Sequence, residues 1–139
     1  MKEIASGVWP VMITPFTADN KVDYDAVLRI IQWYERMNVT GIFAVCQSSE
    51  MFFLDKEERL ELARFVIRNT PKHMGVIASG HVAEKMEDQV REAQAIIDAG
   101  AESYVFISNQ FAKEGESEDI AKKNIEYLLD HVEADSFGV

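Results

Sequence analysis

A short polar patch follows the place where a buried strand is expected to end. The apolar run 41–45 stops at the segment CQSSE, residues 46–50, and a second apolar stretch, 51–54, comes next. Small hydroxyl side chains and the backbone N–H groups of a turn can bind a carboxylate there. Ligand sites of parallel α/β folds form where strands end. The pattern predicts an anion site at Ser48 and Ser49; the alternative is a strand end that caps its own turn.

Other residues with chemical potential carry weaker predictions. Cys46 and His81 both end predicted neighbouring strands, but no orienting acid or oxyanion hole is visible, and a lone cysteine is usually a small buried residue. His73 and His81 do not have the spacing of metal ligands, so we expect neither a metal nor a cofactor. Glu50 is interpreted as structural, because a second carboxylate would repel an anionic ligand.

Composition restricts the partners of the chain. Its 139 residues suit one domain, and its formal net charge is −10. This charge argues against nucleic acid, which requires clustered Lys and Arg, and against an anionic membrane surface. The N-terminal segment lacks the apolar core of a signal peptide. A single cysteine excludes an internal disulfide and fits a reducing, cytoplasmic compartment.

Strand-like and helix-like stretches alternate along the chain. Strands are predicted over residues 7–13, 40–45, 74–80 and 103–108, and a fifth begins at 135–139. Helices are predicted over residues 24–37, 56–70, 84–99 and 120–131. Asp23 and Asp55 are predicted N-caps, and Glu58 stands at capping-box spacing from Asp55. Gly100 is expected to end the third helix.

This alternation predicts a parallel sheet with right-handed crossovers. Two architectures fit the pattern. A five-stranded doubly wound sheet suits the length, whereas the first half of an eightfold barrel implies a protein of about 250 residues. The final strand has no helix after it, which favours the barrel.

The ordered series of motifs resembles the dihydrodipicolinate synthase and N-acetylneuraminate lyase family. These motifs are GVWPVMITPF, VDYDAV, GIFAVCQSSEMFFLDKEER, GVIASGHVAE and IIDAGAESYVFIS. The resemblance covers essentially the whole chain and implies a TIM (β/α)8 barrel. Residues 1–139 would then form a single partial barrel domain, the N-terminal half. It would hold about four βα units plus a fifth strand, in which the chain is truncated.

The resemblance implies Schiff-base (class I) lyase or aldolase chemistry on pyruvate or a related 2-oxo acid. In that chemistry a lysine on the sixth strand attacks the ketone, and a tyrosine on the fifth strand relays protons. None of the eight lysines here lies in an apolar strand. We therefore expect the chain to lack the lysine and the tyrosine, which leaves open whether it is itself an enzyme.

The resemblance also assigns roles to the polar patch. Gln47 and Phe111 stand at the positions of a relay threonine and a relay tyrosine, and neither side chain can relay a proton. Ser48 stands where a threonine helps to hold the substrate carboxylate, with Ser49 beside it. The expected partners are a small 2-oxo acid and, because both edges of a half-barrel sheet are open, further copies of the chain. The alternative is a non-catalytic half-barrel that serves as a binding or assembly module.

Overall fold

Four helices and four short parallel strands make up the fold. A computed structural model describes residues 3–139. The helices are α1 (Tyr24–Arg36), α2 (Lys56–Asn69), α3 (Met86–Asp98) and α4 (Glu118–His131). The strands are β1 (Gly41–Phe43), β2 (Gly75–Ala78), β3 (Ser103–Val105) and β4 (Phe137–Gly138). All four predicted helices form, and the strands are shorter than predicted.

The predicted helix boundaries have the expected local causes. The Asp23 carboxylate accepts a hydrogen bond of 2.9 Å from the N–H of Ala26 at the start of α1. Asp55 and Glu58 form a capping box at the start of α2, with bonds of 2.8 and 3.0 Å. Gly100, with a φ of +109°, follows the end of α3 in a conformation that favours glycine.

The strands lie in the sheet in chain order, β1-β2-β3-β4, and all pair in parallel. Each helix contacts the next one along the chain, from α1 to α4. A doubly wound sheet reverses its strand order and places helices on both faces. Sequential order with consecutive helix packing is the arrangement of βα units in a barrel. The barrel prediction is confirmed, and the doubly wound alternative is not.

The predicted first strand, residues 7–13, is an extended edge segment with only one bridge, from Val11 to Phe43. It still runs parallel to β1: the Phe43 N–H donates to the Pro10 carbonyl at 3.0 Å, and the Met12 N–H donates to the Phe43 carbonyl at 2.9 Å. Pro10 has no N–H and therefore cannot complete a regular ladder. Proline thus explains why the segment pairs like an edge strand without forming a continuous one.

The two faces of the sheet differ in cover. Ile42, Ala78 and Tyr104, at even positions, are fully buried against the helices. In β1 to β3, side chains at odd positions point to the opposite, inner face, because successive strand residues alternate. At the amino end of that face Trp9 lies over Gly41 and Gly75, where any larger side chain would collide with the indole ring. The inner face is therefore filled at its amino end and open at its carboxyl end.

A buried ion pair joins helices α2 and α3. The Arg59 guanidinium lies 3.3 Å from the Glu92 carboxylate, which joins α2 to α3. It also donates a 2.6 Å hydrogen bond to the Leu54 carbonyl, just after the polar patch. Burial raises the pKa of Glu92, and the charge of Arg59 opposes that rise. The pair anchors the segment that follows the patch.

Candidate functional site

A cavity of about 260 Å³ opens at the carboxyl end of the inner face. The end of the sheet and the turns after β1 and β3 form its wall. Its lining consists of apolar, hydroxyl, thiol and amide side chains, none of them charged: Val11, Phe43, Cys46, Gln47, Ser48, Ser79, Val105, Phe106, Ile107, Ser108 and Val139. A lining without charged side chains and with several hydroxyl groups can bind a small anion through hydrogen bonds, while the apolar part of the ligand contacts the wall.

Ser49 shapes the turn after β1 and does not line the cavity. It is fully buried. Its hydroxyl accepts a 2.6 Å bond from the Cys46 N–H and donates a 2.7 Å bond to the Cys46 carbonyl. Its own carbonyl accepts a 2.7 Å bond from the Thr14 hydroxyl. These bonds engage Ser49 on both sides and join the polar patch to Thr14, the residue that follows the N-terminal edge segment.

Ser48 and Gln47 have the opposite placement. Both side chains are exposed, and both line the cavity. They belong to the single 3₁₀ turn Gln47–Ser49, which Ser49 holds in place. Of the two serines predicted to bind substrate, Ser48 reaches the cavity and Ser49 supports it from behind.

Glu50 closes this turn through its backbone. Its φ of +59° is left-handed, which is uncommon for a residue with a side chain. Its N–H donates to the Gln47 carbonyl at 3.2 Å, and its carbonyl accepts from the Phe53 N–H at 2.9 Å. Its side chain is exposed and is not among those that line the cavity. The backbone geometry agrees with a structural interpretation of Glu50.

Gln47 and Phe111, the two positions matched to relay residues, are not brought together. Gln47 faces the cavity, whereas Phe111 is buried and does not line it. The Phe111 ring lies 5.4 Å from the ring of His81 and 6.0 Å from the ring of Phe106. Phe111 therefore contributes to an aromatic cluster behind the cavity wall.

His81 is the centre of a fully bonded network. Its Nδ1 accepts a 3.0 Å bond from the Ile107 N–H, so the ring proton lies on Nε2. Nε2 donates to the Gln89 Oε1 at 2.7 Å, and the Gln89 amide donates to the Ala83 carbonyl at 2.7 Å. Burial lowers the pKa of His81 below its usual value, against the effect of both hydrogen bonds. Both ring nitrogens are occupied, which leaves neither of them for a Cys46–His81 pair.

Two cavity residues, Ser79 and Ser108, were not predicted from the sequence. Ser79 follows β2 directly and is fully buried, while Ser108 begins a 3₁₀ turn after β3 and is exposed. Strand alternation could have found Ser79, because it lies two residues after Ile77 in the same apolar run and therefore points to the same face of the sheet. Several adjacent polar residues after an apolar run, as in the patch after β1, indicate a strand end, whereas a single serine inside an apolar run gives no such signal.

The lysines of the described chain lie outside its strands. Seven of the eight fall among the described residues, and each of these is exposed and outside the four strands; Lys2 lies outside the described residues.

Among residues 3–139, no group of three or more His, Cys, Asp or Glu side chains could hold a metal ion. In the same range, no helix has both the length and the apolar character needed to cross a membrane.

Comparison with known proteins decides the family. The model of the dihydrodipicolinate synthetase family matches residues 4–128. The chain belongs to this family. Over 107 residues it is 28% identical to a 4-hydroxy-tetrahydrodipicolinate synthase of Cellvibrio japonicus, an alignment that includes 77% of this chain and 37% of that enzyme. The chain therefore spans less than two fifths of the length of this curated relative.

Solved structures agree with the family and the fold. A prophage protein of the dihydrodipicolinic acid synthase family from E. coli K12, solved in complex with pyruvate, is 25% identical and superposes with a TM-score of 0.82. The match covers 94% of this chain and 43% of that one. An N-acetylneuraminate lyase from Mycoplasma synoviae superposes with a TM-score of 0.79 at 20% identity, covering 92% of this chain and 43% of the lyase, and supports the fold alone. Membership of the family and the arrangement of barrel units are thus established for this chain.

Proposed function

We propose that this chain provides the carboxylate-binding half of a Schiff-base lyase or aldolase that acts on pyruvate or a related 2-oxo acid. In this proposal residues 1–139 are a single partial barrel domain. The nucleophilic lysine then comes from outside the described residues, because the lysines among them are exposed and outside strands. The pyruvate complex of the E. coli relative supports this class of ligand.

The observation that carries the proposal is the different placement of two adjacent serines, Ser48 and Ser49. The buried Ser49 hydroxyl has its partners within the turn, and the Ser48 hydroxyl is presented to the cavity. A carboxylate accepts several hydrogen bonds, each worth about 1.5–3 kcal/mol when one partner is charged. In this proposal the Ser48 hydroxyl donates to the carboxylate of the 2-oxo acid, and Gln47 lines the adjacent wall.

Binding of pyruvate to matched variants tests the site. Ser48→Ala should weaken pyruvate binding roughly tenfold, or about 1.4 kcal/mol. Ser117→Ala is the control, because Ser117 is an exposed residue at the start of α4. Amide chemical shifts followed through a pyruvate titration give both affinities. If both variants bind like the parent, the patch is only a turn.

Chemical trapping separates binding from catalysis. The chain alone should form no Schiff base with pyruvate, because an exposed lysine is normally protonated and a poor nucleophile. Borohydride reduction followed by mass measurement would reveal a covalent adduct. A stoichiometric adduct at one lysine under mild conditions would contradict the assignment of the nucleophile outside these residues.

A non-catalytic binding or assembly module is the second candidate function. The amide of Gln47 and the hydrocarbon ring of Phe111 favour it, because neither can relay a proton. The DNA downstream of the last codon distinguishes the two candidates. A reading frame that continues with an apolar strand carrying a lysine would favour the lyase.

We also propose that the chain works as a homo-oligomer. Phe53 and Ile13 are 82% and 61% exposed, and an open edge of the sheet can pair with another copy of the chain. Light scattering should show dimers or larger assemblies. A stable monomer that unfolds cooperatively would contradict this expectation.

A further inference from the structure

Ser79 carries a hydroxyl group for which the fold provides no partner. The residue is 1% exposed, and its Oγ has no hydrogen-bond partner among residues 3–139. A buried hydroxyl without a partner costs about 1–3 kcal/mol, so native structures contain few of them. The Tyr104 hydroxyl is the other such group in the described part of the chain, and it lies on the helix-facing side of the sheet.

The backbone fixes where the Ser79 side chain points. Its N–H donates a 2.6 Å bond to the Val45 carbonyl, which places it beside the start of the polar patch. Ile77 pairs with Phe43 in the sheet, so residue 79 is level with residue 45. Ser79 shares the inward parity of Ile77 and lines the same cavity as Ser48. The unpartnered hydroxyl is therefore directed to the cavity and not to the helices.

The three cavity serines differ in their contact with water. Ser48 and Ser108 are exposed, whereas Ser79 is buried. Toward a neutral ligand atom, an exposed hydroxyl only exchanges one neutral hydrogen bond for another, with little net gain. A hydroxyl that the fold has already desolvated favours any ligand that can accept its hydrogen and penalises one that cannot. Ser79 thus has the properties of a specificity determinant.

We propose that Ser79 determines specificity by donating a hydrogen bond to the 2-oxo oxygen of the ligand. This inference rests on the proposed function, in which the ligand carboxylate lies at Ser48. The ketone carbon is bonded directly to the carboxylate carbon, so the 2-oxo oxygen lies next to the Ser48 contact. No charged side chain lines the cavity, and a single neutral donor suits a neutral acceptor.

Two small acids that differ only at this oxygen test the proposal. Pyruvate and propionate have the same carboxylate and carbon chain, and propionate lacks the 2-oxo oxygen. The parent chain should bind pyruvate about tenfold more tightly than propionate. Ser79→Ala should weaken pyruvate binding about tenfold and leave propionate binding unchanged. Ser79→Thr, which keeps the hydroxyl, should retain most of the preference, and Ser117→Ala should retain all of it.

Each outcome distinguishes this inference from the function on which it rests. Suppose that Ser79→Ala folds and still binds pyruvate tenfold more tightly than propionate, or that it loses affinity for both acids equally. Ser79 then does not donate a hydrogen bond to the 2-oxo oxygen. If Ser48→Ala in that case lowers the affinity for both acids, the carboxylate site is supported and only the role proposed for Ser79 is wrong. If the parent binds neither acid, both proposals fall. Should Ser79→Ala fail to fold, loss of the preference in a folded Ser79→Thr chain also counts against the proposal.

Discussion

Two polar clusters lie at the carboxyl end of the strands. They differ in how many of their polar atoms have hydrogen-bond partners. In the cluster around His81, both ring nitrogens and the Gln89 amide have hydrogen-bond partners within the chain. In the cavity, the hydroxyl of Ser79 has none among the described residues. The first cluster is complete without a ligand, and the second is not. Strand ends of similar composition can therefore serve either structure or binding.

The turn after β1 contains both situations in adjacent residues. Ser49 uses its hydroxyl inside the turn, and Ser48 presents its hydroxyl to the cavity. The difference follows from the side of the 3₁₀ turn on which each side chain lies, not from residue type. Substitutions in the two clusters should therefore affect different measurements: stability for partnered groups, ligand affinity for the others.

The largest expected effect is on the His81 network. His81→Leu keeps a similar volume but leaves the Ile107 N–H and the Gln89 Oε1 without their partner. We expect a loss of about 3 kcal/mol in the free energy of unfolding, since each unpaired buried group costs about 1–3 kcal/mol. Urea denaturation measures it. His73→Leu is the control, because His73 is exposed and should change stability by less than about 0.5 kcal/mol. A similar loss in both variants would remove the distinction drawn for His81.

A smaller loss is expected within the first turn. Ser49→Ala removes two hydrogen bonds and leaves the Cys46 N–H unpaired, so the free energy of unfolding should fall by about 1–2 kcal/mol. Ser48→Ala, one residue away, should stay within about 0.5 kcal/mol of the parent. Thermal or urea denaturation of the pair measures this contrast. Equal losses would show that both serines are structural.

Acid should weaken the fold through His81. The folded pKa of His81 lies below its usual value, so the unfolded chain binds more protons between the two pKa values. Stability should therefore fall as pH drops below about 6.5, with a slope of at most about 1.4 kcal/mol per pH unit from this group. Denaturation between pH 7 and pH 5.5 measures the slope, and His81→Leu should show a smaller one. An unchanged slope in that variant would contradict the assignment.

The smallest expected effect on stability belongs to Ser79. Ser79→Ala removes a buried hydroxyl that has no partner, so the free energy of unfolding should stay within about 0.5 kcal/mol of the parent or rise slightly. The same urea titration used for Ser49→Ala provides the comparison between a partnered and an unpartnered buried serine. A loss above about 1 kcal/mol would place Ser79 with the structural group.

Local patterns in the sequence were sufficient for the helices, because their signals lie within a few residues. Asp23, Asp55 with Glu58, and Gly100 mark helix boundaries through short-range hydrogen bonds and backbone conformation. The edge segment at 7–13 was the exception. Its apolar character predicted a strand, and Pro10 limits its pairing to one bridge.

The sequence by itself determined the alternation of elements, their parallel arrangement, the family and the position of the polar patch at a strand end. Tertiary structure alone decided the strand order and which serine faces the cavity. It also placed Phe111 behind the wall and left the Ser79 hydroxyl unpartnered. The physical reason is range. Helix caps and strand alternation depend on neighbours in the chain, whereas the partner of a buried polar atom comes from a distant residue that only the packed fold brings near.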